Sequence, residues 1–369
     1  MRPLRLAAAG PLILAGIVAG FCALEGVSSL LMFLGGVVTY RPPPFNEAMH
    51  TVYDPELGWV NRPSTFVPDL YGPGIFLHTN AQGFRGSRDY PKSAAKDRLR
   101  VICSGDSFTL GYGVDDDRAW CAELESIDPR LETVNMGQGG YGIDQTYLWY
   151  MRDGASLEHA VHVFAVITDD FARMQRPEFS GHAKPTLALE DGKLVARNVP
   201  VPPPTFSFVR RLAMRLRPSL ASLRTVELVE RIRKRLGTNR SDDIRTFDPD
   251  TWTVAEQVFE TLHETNRAQG SSLLVVYLAA GEDYMSSTES DPWRAHLRDA
   301  AAKTGFAYLD LVPALRELPP DRMIPLFLSK RPAGRGHYSN AGNEWVAHRV
   351  HDAIVTLPGV GSHLGPATH

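Results

Sequence analysis

The sequence predicts an α/β protein, a three-layer αβα sandwich on a five-stranded parallel sheet, behind an N-terminal transmembrane helix and a small β accessory region. Three observations predict it. From Arg98 onward, apolar runs of strand length alternate with amphipathic runs of helix length, as expected when helices cover both faces of a parallel sheet. The first 40 residues are an apolar block with almost no charge. The chain of 369 residues, 43% hydrophobic and 22% charged, is long enough to bury a full α/β core with structure to spare.

The N-terminal element, residues 1–40, carries Arg2 and Arg5 ahead of an apolar run from Leu6 to Leu24, then Glu25, then a second apolar stretch from Gly26 to Val38. At 1.5 Å per residue the first run spans about 28 Å, close to the hydrocarbon thickness of a bilayer. The leading arginines favour a cytoplasmic N-terminus, which makes the chain a single-pass inner (plasma) membrane protein with a periplasmic, or extracytoplasmic, domain. Glu25 then marks the far interface. A cleavable signal peptide is the competing reading. Small residues are poorly placed for cleavage around Phe21-Cys22, and Phe21 spoils a lipobox before Cys22, so an uncleaved signal anchor is favoured.

Residues 41–97 follow as linker and accessory region. Arg41-Pro42-Pro43-Pro44 is a stiff spacer. YDPELGWVNRP (Tyr53 to Pro63) and LHTNAQGFRG (Leu77 to Gly86) are turn-rich with short extended pieces. They are expected to pack on the next domain, because Trp59, Phe66, Phe76 and Phe84 would otherwise leave apolar area in water.

The main domain, residues 98–357, has expected strands at Leu99–Ser104, Glu132–Asn135, Val161–Thr168, Ser272–Ala279 and Phe306–Leu311. Helices are expected at Arg118–Ile127, Ile143–Arg152, Thr253–Ala268, Pro292–Thr304 and Ala341–Val355. Between the third and fourth strands lies an insertion, about residues 175–250, opening with a hairpin around Glu190-Asp191-Gly192-Lys193. From Arg210 to Arg240 it has ten basic residues against Glu227 and Glu230, with Leu212, Leu216, Leu220, Leu223, Val226 and Val229 at helical spacing. The plain reading is a solvated lid helix. The sharper one is a basic face lying on an anionic membrane surface or meeting an acidic glycan. Residues 358–369 read as a flexible tail.

A net charge of −3 argues against nucleic acid as a partner. Cys22, Cys103 and Cys121 are too few and too oddly spaced for a disulfide framework or a zinc site. Cys103 reads as a small buried hydrophobe on a strand, with a Cys103–Cys121 bridge as the alternative. There is no HExxH, and His159 with His162 at a strand entrance reads as structural.

The most informative stretch is GDSFTLGYGV, Gly105 to Val114, directly after the apolar run Val101-Ile102-Cys103. A serine at the sharp exit of a buried strand, followed by small residues and a helix, is held beside backbone N–H groups. That setting suits a nucleophile. GDS alone is ordinary turn chemistry. Three further segments follow in order: NMGQGGYG at Asn135 to Gly142, ITDDF at Ile167 to Phe171, and GHYSNAGN at Gly336 to Asn343. Together the four blocks resemble the SGNH, or GDSL-type, esterase and lipase family, in a membrane-anchored bacterial form, from roughly Arg98 to Leu357.

The resemblance implies the flavodoxin-like strand order, with Ser107 as nucleophile and His337 as general base. It places the oxyanion hole at Ser107, Gly140 and position 169, and implies an acyl-ester substrate with no cofactor and no metal. NMGQGGYG also spells G-x-G-x-x-G through Gly137, Gly139 and Gly142. The preceding strand is not the first of the sheet, and the block order fits an esterase, so it is not read as a dinucleotide site.

Two positions depart from the family pattern. Asp169 stands where the family has asparagine. An ionised carboxylate donates nothing to an oxyanion and, at about 4 Å and an effective dielectric near 20, repels it by roughly 4 kcal/mol, or about a thousandfold in rate. Asp169 is therefore protonated by burial, turned towards His337 as its acid, or a mark of low activity; the neighbouring Asp170 slightly favours protonation. The acid usually found just before the histidine is also missing, since Gly334 and Arg335 stand there. Asp310 and Asp321 are the candidates to replace it, unless a backbone carbonyl suffices. The implied function is extracytoplasmic hydrolysis of an acyl ester on an envelope glycan or lipid. The alternatives are an O-acyltransferase of cell-envelope polysaccharide and a non-catalytic glycan-binding or assembly protein of the same fold.

Overall fold

The computed structural model describes residues 4–39, 50–204, 247–284, 289–328 and 336–360. These fall into two compact units, the N-terminal helix in one and the described residues from 50 onward in the other. In chain order the strands of the second unit are β1 (Thr51–Asp54), β2 (Gly58–Asn61), β3 (Thr65–Val67), β4 (Leu77–Thr79), β5 (Leu99–Gly105), β6 (Leu131–Gly137), β7 (Val161–Val166), β8 (Glu178–Phe179), β9 (His182–Ala183), β10 (Thr186–Glu190), β11 (Lys193–Arg197), β12 (Ser272–Tyr277) and β13 (Ala307–Asp310). The N-terminal helix is α1 (Leu4–Thr39), and the first helices of the second unit are α2 (Ser107–Leu110), α3 (Trp120–Ile127), α4 (Ile143–Trp149) and α5 (Thr168–Met174).

The central sheet runs β6-β5-β7-β12-β13, all parallel. This is the flavodoxin-like order, with the reversal of strand order beside β5. Cys103 pairs with Asn135 on one side and Val163 on the other, which fixes the register around the exit of β5. Every residue of β6 and β7 is buried, the signature of strands covered on both faces. The helix Asn340–Val355 packs with α3, while Pro249–Ala268 packs with α4, α5 and β12. The latter starts where Asp248 accepts from the Thr251 amide at 3.0 Å, with a proline in its first turn, and buries Trp252, Ala255, Val258, Phe259 and Leu262 as one stripe.

All five sheet strands and five longer helices lie within a few residues of their expected positions. The helix expected to reach Arg152 is α-helical to Trp149 and closes in a π turn over Tyr150–Gly154. The Glu190–Lys193 turn joins β10 to β11. The basic segment Arg210–Arg240, the prolines at 42–44, and Gly334 and Arg335 lie outside the described residues.

Three expectations need correction. Trp59 and Phe84 are buried, but Phe66 is 53% and Phe76 39% exposed. Strand alternation turns Phe66 outward while Val67 faces in, and the Phe66 ring lies against Phe76 at 5.8 Å and His78 at 4.3 Å. Cys103 and Cys121 are disulfide-bonded, with Cα atoms 6.2 Å apart, tying β5 to α3. Finally, Glu25 does not end the apolar run: α1 continues through it, and the stretch long and apolar enough to cross a membrane is the 23-residue span Ile13–Gly35, mean hydropathy 2.0.

His159 and His162 occupy a buried polar network between sheet and helix. His162 Nε2 meets Ser104 Oγ at 2.6 Å, its ring stacks on Tyr150 at 3.6 Å, and Asn266 bridges both imidazoles. Burial pushes both histidines below the usual imidazole range, His162 well below.

Candidate active site

The β5 strand leaves the sheet through Gly105-Asp106 into the single turn of α2. Asp106 caps that turn, its Oδ1 accepting from the Phe108 amide at 2.8 Å, so Ser107 stands at the first helical position. Gly137, at the end of β6, lets α2 approach: a Cβ there would stand 2.0 Å from the Leu110 nitrogen.

The histidine segment is held independently. Leu328 N donates to His337 O at 2.8 Å, and Ser339 N to Leu326 O at 2.8 Å. The Tyr338 hydroxyl donates to Ala279 O at 2.6 Å, at the end of β12. Asn343 accepts from the Trp120 amide at 3.0 Å and donates to Ser339 O at 2.9 Å, locking the segment to α3. These constraints bring His337 Nε2 to 2.8 Å from Ser107 Oγ, across 230 residues of sequence. The imidazole also lies against Phe108 and Tyr112, with ring centroids 4.6 and 4.9 Å away. A neutral imidazole in this pose accepts the serine proton.

Asp169 lies in the same pocket as Ser107 and His337, its side chain 34% exposed. Its neighbour Asp170 is the carboxyl that burial, then the nearby Asp106, pushes well above the usual range. The buried member of the pair is thus Asp170 itself, not Asp169. Its Oδ2 accepts from the Ile167 amide at 2.9 Å, capping α5.

Gly140 follows β6 in the left-handed region, φ 73°, where glycine is the ready choice. It lies on the same rim of the sheet but does not line the pocket. Asp310 is engaged by Arg294 Nε at 2.9 Å and by the Val312 amide at 3.0 Å, at the end of β13, and Asp321 is exposed on the short helix Pro320–Met323.

Supporting residues come from places that no motif marked. Arg173 Nη1 donates to Asp106 Oδ2 at 2.9 Å, Asp170 Oδ1 at 2.7 Å and Tyr141 O at 2.9 Å. Its spacing from Asp169, one helical turn, was the only available signal. From the accessory region, Trp59 Nε1 donates to Gly139 O at 3.0 Å and Asn61 to Gly137 O at 3.3 Å, so β2 holds the glycine-rich loop. Arg85 is buried and donates to Gly111 O at 2.6 Å and Val114 O at 2.5 Å, closing the carbonyls that follow the nucleophile turn.

The pocket has a volume of about 170 Å3. Phe108, Ile167 and Ala280 supply its apolar wall, and Asp169, Arg173, Glu282, Asp283 and Glu289 its polar rim. Burial pushes the Asp283 carboxyl up. Among the described residues no cluster of His, Cys, Asp and Glu could hold a metal ion.

No family model matches the chain, and no curated protein matches it. Similar solved structures include TesA, at 11% identity and TM-score 0.41, covering 69% of this chain and 98% of that one. A member of the lipolytic G-D-S-L family from Veillonella parvula has 12% identity and TM-score 0.39, covering 70% and 100%. The acetyl xylan esterase AlAXEase has 15% identity and TM-score 0.39, covering 69% and 100%. At such low identities and scores, the functional reading rests on the site's own geometry.

Proposed function

We propose that this chain is a serine esterase of SGNH type that cleaves an acyl ester outside the cytoplasm. The observation that carries the reading is the 2.8 Å contact between Ser107 Oγ and His337 Nε2. In the reaction His337 takes the hydroxyl proton as Ser107 attacks the ester carbonyl. The tetrahedral oxyanion collapses, His337 protonates the departing alcohol, and water then releases the acid from the acyl-enzyme by the same steps. The Ser107 and Gly140 amides are the proposed oxyanion donors, and Asp169 lines the same pocket as Ser107.

A pocket of about 170 Å3 is small beside the roughly 300–1,000 Å3 of drug-sized sites. Its charged rim suits a short acyl group on a polar carrier, such as an envelope glycan or a lipid headgroup. Location outside the cytoplasm is supported by α1, long and apolar enough to cross a bilayer, and by the Cys103–Cys121 disulfide, a bond that persists in oxidising compartments.

The test uses the full chain in detergent with p-nitrophenyl esters of rising chain length. Acetate turnover that is lost in Ser107→Ala and His337→Ala, and falls as the acyl chain lengthens, supports the reading. Acyl transfer to an added sugar hydroxyl in preference to water would make it an O-acyltransferase. An intact fold with no turnover at all would leave the glycan-binding alternative.

A further inference from the structure

We propose that Arg173 is the positioning residue that allows an aspartate at position 169: it fixes the nucleophile turn against the glycine-rich loop and balances the carboxylate beside the oxyanion. The proposal deepens the esterase reading and rests on it.

The geometry is a three-way clamp. Arg173 Nη1 donates to Asp106 Oδ2 at 2.9 Å, to Tyr141 O at 2.9 Å and to Asp170 Oδ1 at 2.7 Å, while Nη2 stands 3.8 Å from Asp169 Oδ2. These partners come from the segments that follow β5, β6 and β7. Asp106 caps the Ser107 turn, and its Oδ2 is also 3.4 Å from Ser107 Oγ. Tyr141 is the residue after Gly140. One guanidinium therefore sets the spacing between the nucleophile and the proposed Gly140 donor.

Charge gives the second part. Asp106, Asp169 and Asp170 surround this one cation, whose side chain is 13% exposed, so water screens the interaction little. In a site that carried asparagine at 169, less negative charge would need balancing. The aspartate makes the nearby guanidinium necessary. Lysine would keep the charge but not the planar fork that reaches several acceptors at once.

The experiment is a double-mutant cycle in the full chain, with kcat and KM for p-nitrophenyl acetate measured on wild type, Arg173→Gln, Asp169→Asn and the pair, each checked for native circular dichroism. Arg173→Gln should lower kcat about a hundredfold, with KM moving little, the scale of losing one oxyanion-hole donor. In the Asp169→Asn background the same change should cost at least about tenfold less, a coupling expected of contacting charges. Arg173→Lys should fall between, and added guanidinium ion should restore part of the activity of Arg173→Ala. Equal losses in both backgrounds would overturn the charge-balancing role. An Arg173→Gln enzyme within twofold of wild type would overturn the proposal outright while leaving the esterase reading standing. A wild type that turns over no ester removes that reading and this proposal with it.

Discussion

In the proposed mechanism, the choice between an amide and a carboxylate at position 169 decides how much negative charge borders the oxyanion. Asp169→Asn exchanges the repelling group for a donor, so esterase activity is expected to be retained or to rise in steady-state assays. A complete loss would assign the carboxylate a specific acidic role. Ser107 and His337 were legible in the sequence because each sits in a short local signature, GDSF and GHYSNAGN, whose neighbours do structural work: Asp106 caps the turn and Asn343 locks the histidine segment. The orienting acid was not legible. Asp310 and Asp321 are candidates from farther along the chain between which sequence cannot choose; Asp310 is paired with Arg294 and Asp321 is exposed. Arg173 escaped notice because its role exists only once three separated segments meet.

Among elements, the accessory region does more than connect. Through Trp59 and Asn61 it carries the glycine-rich loop, and through Arg85 the chain after the nucleophile turn. Trp59→Phe, which keeps the ring and deletes the Gly139 hydrogen bond, is expected to cost about 1 kcal/mol of stability by urea titration and to lower kcat more than it raises KM. The sheet strands were readable because burial on both faces leaves continuous apolar runs. Phe66 points outward from β3 and Phe76 lies in the loop just before β4, so apolar character did not imply burial. The buried pair His159 and His162 makes a pH prediction. Both are held neutral in the folded chain, with pKa values pushed below that of the unfolded imidazole, so unfolding takes up protons. Their contribution is fully present above about pH 6.5, the unfolded value, and is lost as pH falls below it. The urea midpoint should therefore drop between pH 7 and pH 5.5; an unchanged midpoint over that window would contradict the network's neutrality.

For the whole molecule, the disulfide and the apolar helix bear on the same question of compartment. Alkylation of the denatured protein without reductant should modify Cys22 alone, and after reduction under the same conditions all three cysteines. Three reactive thiols before reduction would remove the disulfide's support for an oxidising location. The basic stretch Arg210–Arg240, visible in the sequence as a run of charge, belongs to no described element, and its role at a membrane or glycan surface stays a matter for charge-reversal and vesicle-binding measurements on Arg231, Arg233 and Arg235. What the fold as a whole accomplishes is to bring together two side chains 230 residues apart. The most direct test is labelling of the full chain with a fluorophosphonate probe, followed by peptide mapping. The account predicts a single adduct on Ser107 that is nearly abolished in a folded His337→Ala variant, whereas an unlabelled Ser107, or labelling indifferent to His337, would contradict it.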